Sequence, residues 1–193
     1  MIDLNILDSY DWQDESSLED CLLKSIAVAG HNATSTTKAV NRFLTTGSEK
    51  WGIGYYPFEI ILEYAEKGGL EQALQAAGVG CYTRVARAYT DAANSGMDLR
   101  ACSFEDLEAI YGIGPKTARM FVLYTRSNVR CAVLDVHVLR YLKNCGYEVP
   151  AATPTGRKYA VLETAFLEQF DKSEFTSIKD FDFHIWEQYS GRK

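Results

Sequence analysis

The chain has 193 residues, 47% of them hydrophobic, and a formal net charge of −6 at pH 7. That length supports one compact domain or two small lobes. No apolar run approaches a membrane span and no signal-peptide pattern opens the chain, so a cytoplasmic protein is expected, associated with the nucleoid if its host is bacterial. Cys21, Cys81, Cys102, Cys131 and Cys145 are scattered without a CxxC pair. That argues against a zinc ribbon or disulfide scaffold and for a reducing compartment.

Residues 1–15 are acidic (Asp3, Asp8, Asp11, Asp14, Glu15) around Trp12, with no helical period. Leu18, Cys21, Leu22, Ser25 and Ile26 predict a helix over 16–28, opened by a capping box of Ser16 and Glu19. Gly30-His31-Asn32 breaks the pattern, and a second helix is expected from Thr34 or Ser35 to Leu44. By residue type, His31 and Asn32 are turn chemistry. Gly52-Ile53-Gly54, flanked by Trp51, Tyr55 and Tyr56, predicts an ordered loop. A helix over 57–67 follows, closed by Gly68-Gly69. A short helix over 70–77 precedes Gly78-Val79-Gly80, and another runs from there to about Ser95. Arg84 and Arg87 lie three apart on it and share a face, which is either solvated or basic toward an anionic partner.

The chemistry concentrates in residues 103–142. Ser103 and Asp106 form a capping-box pattern opening a helix. Gly112-Ile113-Gly114 supplies a turn whose amides are left free. Pro115 stands first in the next helix, where its fixed φ and missing N–H are tolerated. Amides and a positive helix end then converge on one place, a ready phosphate site. Lys116 falls in the first turn, where a cation opposes the helix dipole at a cost of a few tenths to about 1 kcal/mol. Dipole and burial would both favour a neutral, nucleophilic amine; a solvated or phosphate-pairing lysine is the plain alternative. Asp135, nineteen residues on, ends the apolar run CAVL and opens VHVLRYL. By type it is a helix N-cap. GIGPKT lacks the glycine before the lysine, and the earlier glycine, that a nucleotide-binding P-loop needs.

The acidic total argues mildly against a nucleic-acid partner, but the charge is polarised. Between Lys116 and Lys143 stand Lys116, Arg119, Arg126, Arg130, Arg140 and Lys143 against the single acid Asp135. Gly146 ends the helix that Asp135 opens, and a loop runs through Pro154. Helices are expected over 155–170 and 177–189. On the last, Phe183 and Trp186 share a side with Asp182, Ile185 and Tyr189 nearby, a spacing more typical of core than of a binding site. The expected fold is all-α, about ten helices in two lobes, with the site in the cleft where Lys116 and Asp135 meet.

GIGPKTA and LDVHV together resemble the helix-hairpin-helix superfamily of DNA glycosylases, which includes endonuclease III and the 8-oxoguanine glycosylases. GIGPKTA looks like that family's hairpin and LDVHV like its aspartate motif, and the lysine–aspartate spacing is similar to the 8-oxoguanine branch. The resemblance implies a helical barrel lobe over 30–130, holding the hairpin at 103–126, and a second lobe of 1–29 plus 131–193. It makes Lys116 the Schiff-base nucleophile and Asp135 the catalytic carboxylate. Gly112, Gly114, Thr117, Arg119, Arg84 and Arg87 would hold the DNA backbone. His31 and Asn32 would enter the duplex where the damaged base leaves it. Met120, one helical turn after Lys116, would line the base pocket with His137, Phe183 and Trp186.

Double-stranded DNA with a damaged base or abasic site is the implied partner, bound by a monomer with no membrane contact. No cofactor is implied beyond an optional structural monovalent cation at the hairpin, and the C-terminal cysteine cluster that holds iron–sulfur in the endonuclease III branch is missing. The implied activity is excision of an oxidised base, 8-oxoguanine first, with AP lyase cleavage. The alternatives are a monofunctional glycosylase for another modified base and a non-catalytic DNA-binding hairpin. Two positions depart from the family pattern: Tyr111 stands where a proline often precedes the hairpin, and Ala132-Val133-Leu134 replaces a Gly/Pro-rich lead-in.

Overall fold

The computed structural model describes residues 10–190, so the acids Asp3 and Asp8 lie outside the described residues. The described chain is all-helical, with ten helices and no strand. Two compact units divide between Ile113 and Gly114. The grouping of 1–29 with 131–193 rests on the resemblance and remains an expectation.

The first unit is built on α1 (Glu15–Ala27), which is buried on nearly every face from Leu18 onward. It packs against α2 (Ala33–Trp51), α3 (Pro57–Lys67) and α5 (Tyr82–Ala93), while α4 (Leu70–Ala76) lies against α5. A helix so enclosed must satisfy any charge it carries. Lys24 Nζ accordingly donates to Asp20 Oδ2 at 2.5 Å and to the Tyr10 hydroxyl at 2.7 Å. The expected Ser16–Glu19 capping box does not form. Asp14 caps α1 instead, and the Glu19 carboxylate accepts the Phe58 N–H at 3.0 Å, satisfying a first-turn donor of α3.

Helix α2 runs to Trp51, seven residues beyond the expected end at Leu44. Gly47, within the added turns, is a close-packing site. A Cβ there would lie 2.4 Å from Ile60 Cγ2, so glycine lets α2 and α3 approach. Gly52, at φ 64°, ends the helix. The short α6 (Phe104–Ala109) closes this unit and carries the predicted Ser103–Asp106 capping box.

The second unit contains α7 (Pro115–Thr125), α8 (Val136–Asn144), α9 (Gly156–Asp171) and α10 (Ile178–Tyr189), and α8 packs against both α9 and α10. Aromatic rings fill the space between them. Phe181 meets Phe166, Phe170, Phe175 and Tyr141 at centroid distances of 5.3 to 5.8 Å.

Candidate active site

Lys116 is the second residue of α7, directly after Pro115, and is half-buried. The turn before it is tight: Gly112 takes φ 80°, a conformation other residues adopt at a cost. The Ile113 N–H donates to Ile110 O at 3.1 Å, so this amide is not free as the sequence reading expected. No side chain caps the first turn of α7. Among the described residues, no hydrogen bond or ion pair engages the Lys116 amine. The positive helix end thus carries a cation with no counter-charge in direct contact.

Asp135 is placed from the other side. The extended segment 131–134 is buried and pinned by Tyr159, whose hydroxyl donates to Ala132 O at 2.6 Å and accepts the Leu134 N–H at 3.3 Å. The Ala132 N–H in turn donates to Glu163 Oε1 at 3.0 Å. So held, the segment delivers Asp135 to the head of α8. There Oδ1 accepts from the His137 and Val138 amides at 2.8 and 2.9 Å. Asp135 is an N-cap, as its residue type predicts, and it is buried.

A third ionisable group joins these two. Asp182, on α10, is only 1% exposed. Tyr124, on α7, donates to its Oδ2 at 3.0 Å, while Oδ1 has no hydrogen-bond partner. Burial pushes the Asp182 carboxyl up to about 7, and the negative charge of Asp135 adds to the rise; the Tyr124 hydroxyl and the Lys116 cation oppose it. Lys116, Asp135 and Asp182 therefore share one electrostatic neighbourhood within the second unit. No role for Asp182 is legible from the sequence. Its signal was an acid on the face of α10 that also buries Ile178, Phe181 and Ile185.

The proposed pocket residues of this unit fall partly together. His137 Nδ1 lies 3.1 Å from Tyr189 O, and its ring meets Trp186 edge-on at 6.3 Å. Phe183 stacks on Trp186 at 6.0 Å, and all three are half-buried. Met120 and Thr117 are buried in α7. Arg119 is tied inward: it pairs with Glu163 at 2.8 Å and lies over the Tyr159 ring at 4.6 Å.

In the first unit, Arg84 and Arg87 line a groove of about 1150 Å³ with Tyr82 and Tyr111. The Arg87 guanidinium stacks on Tyr111 at 3.8 Å, which gives the residue at the departing proline position a visible role. Arg84 reaches Ala29 O at 3.5 Å. Asn32 is the N-cap of α2, its Oδ1 accepting the Ser35 N–H at 3.1 Å, and His31 lies against Gly80 and Cys81. Both are exposed.

Among the described residues, no group of three or more His, Cys, Asp or Glu side chains could hold a metal ion, and no helix is long and apolar enough to cross a membrane. No family model and no solved structure matches the chain.

Proposed function

We propose that this chain is a bifunctional DNA glycosylase of the helix-hairpin-helix kind, excising an oxidised base, 8-oxoguanine first, and cleaving the abasic strand. The observation that supports this reading is an amine at Lys116 with no bonded partner among the described residues, whose charge acts on the same buried Asp182 as that of the helix-capping carboxylate Asp135. A purely structural lysine would be expected to find a carboxylate or a carbonyl. A nucleophile needs its lone pair accessible.

On this reading the turn 110–114 is the hairpin, and the amides at the uncapped start of α7 receive a DNA phosphate. Arg84 and Arg87 contact further phosphates, and His31 and Asn32 enter the duplex as the damaged nucleotide rotates out. Lys116 first gives up its ammonium proton to solvent, and the free amine attacks C1′ of the sugar. The C1′–N bond breaks, and the base leaves with the bonding electron pair and takes up a proton. Asp135 favours the cationic sugar of the transition state by its charge. The sugar ring then opens to a Schiff base between Lys116 and C1′. Loss of a C2′ proton expels the 3′ phosphate and nicks the strand.

Borohydride trapping on an abasic duplex tests this. The native chain should become covalently linked to DNA, and Lys116→Gln should abolish the link while leaving duplex affinity largely intact. A native chain that binds DNA without trapping would leave a monofunctional glycosylase or a non-catalytic module. Trapping that survives in Lys116→Gln would assign the nucleophile elsewhere.

A further inference from the structure

Two of the five cysteines, Cys81 and Cys145, are exposed. Their surroundings differ. Cys145 follows the last turn of α8, the negative end of that helix. Cys81 is the N-cap of α5, a twelve-residue helix whose first turn no side chain caps, and it is held at φ 48° in the left-handed region. A helix start favours negative charge. His31 Nε2 lies 3.3 Å from Cys81 Sγ. Glycine at position 80 makes room for this ring: a Cβ there would be 2.7 Å from His31 Cε1. Cys81 also opens on the groove of about 1150 Å³ that Arg84 and Tyr82 line, so a small reagent can reach the sulfur. A thiol, a base within hydrogen-bond reach and an open approach are the elements of a reactive cysteine.

We propose that Cys81 and His31 form a thiol–imidazole pair at which hydroperoxides oxidise this chain. His31 Nε2 takes the thiol proton, and the sulfur attacks one peroxide oxygen. The O–O bond breaks, and the leaving oxygen departs with the proton from His31, as water when the oxidant is hydrogen peroxide. The sulfur is oxidised to a sulfenic acid as the peroxide is reduced by two electrons, and an added small thiol reverses the change. The effect on DNA rests on the glycosylase reading: the new oxygen sits against His31, in the loop proposed to enter the duplex, so oxidation should weaken excision.

The test uses the full chain, reduced and then exposed to hydrogen peroxide, with dimedone trapping and peptide mass spectrometry. Cys81 should be labelled faster than Cys145 by on the order of tenfold. His31→Gln should bring the Cys81 rate down toward that of Cys145 and leave the Cys145 rate unchanged, with circular dichroism reporting that the variant is folded. Equal labelling of the two thiols in the native chain would overturn the proposal, as would a Cys81 rate indifferent to His31→Gln in a variant whose circular dichroism is native. A second arm compares excision by native and Cys81→Ser chains before and after peroxide. Selective labelling with no excision activity in either chain would sink the glycosylase reading alone, and excision with no selective labelling would sink the thiol pair alone.

Discussion

Asp182→Asn isolates the buried acid of the candidate site, and its consequence for stability can be worked out. The carboxyl rises from 3.8 to about 7 on folding, chiefly through burial. Between about pH 4 and 7 the folded chain thus keeps a proton that the unfolded chain has released. Stability must fall as pH rises through that window and level off above it. Titrating one such group from pH 5 to pH 8 removes roughly 2–3 kcal/mol at about 1.4 kcal/mol per pH unit. Asparagine keeps the shape and can still accept the Tyr124 hydrogen bond, but it carries no proton to lose. Urea unfolding at pH 5 and pH 8 should show the native chain losing about that much more stability than Asp182→Asn. The native midpoint also reports its neighbours. Lys116→Gln removes a cation that lowers the Asp182 value and should move the midpoint up. Asp135→Asn removes an anion that raises it and should move the midpoint down. Native and Asp182→Asn chains with the same pH dependence would refute the reasoning, as would a midpoint that ignores both neighbours.

Asp135→Ala deletes the acceptor for two α8 amides and should cost about 0.5–2 kcal/mol of stability, while Asp135→Asn should cost less. Excision should fall steeply in both variants, so an Asn variant with native excision would reduce Asp135 to a cap. Arg119→Ala breaks the Glu163 pair and uncovers Tyr159, and about 2–3 kcal/mol of stability should be lost by urea unfolding. The salt dependence of DNA binding should stay as in the native chain, since Arg119 is turned inward; a shallower slope would return it to the phosphate-contacting set.

Helix placement was legible because the local signals were strong and uncontested. The Ser103–Asp106 box, Pro115 at the first position of α7 and Asp135 at the head of α8 each act within a few residues of themselves. The errors came where a distant partner decided the outcome. Glu19 was read as a reciprocal cap for its own helix, but Phe58, thirty-nine residues away, claims it. The second helix was expected to end at Leu44, because nothing local reveals that Ile60 packs against Gly47 further along it. The inward partner of Arg119, Glu163, is equally invisible locally, because it lies forty-four residues further along the chain. Asp182 went unassigned for the same reason: its partner Tyr124 is fifty-eight residues upstream.

The two central residues stand in opposite relations to the helices that hold them. Asp135 is where a helix wants an anion, and two amides fix its carboxylate, so that charge is stabilised whether or not it has work to do. Its cap role therefore argues neither for nor against catalysis. Lys116 occupies the corresponding end of α7 with the wrong sign of charge, and no hydrogen bond or ion pair among the described residues offsets it. Folding alone would favour a neutral or acidic residue there. A residue that works against its own helix is the more informative of the two. The same logic extends to Asp182, a buried acid with one oxygen unpartnered, which burial alone would replace with leucine or asparagine. Two locally unfavourable choices fall within one electrostatic neighbourhood, and the Lys116→Gln trapping experiment asks whether that neighbourhood carries chemistry at all.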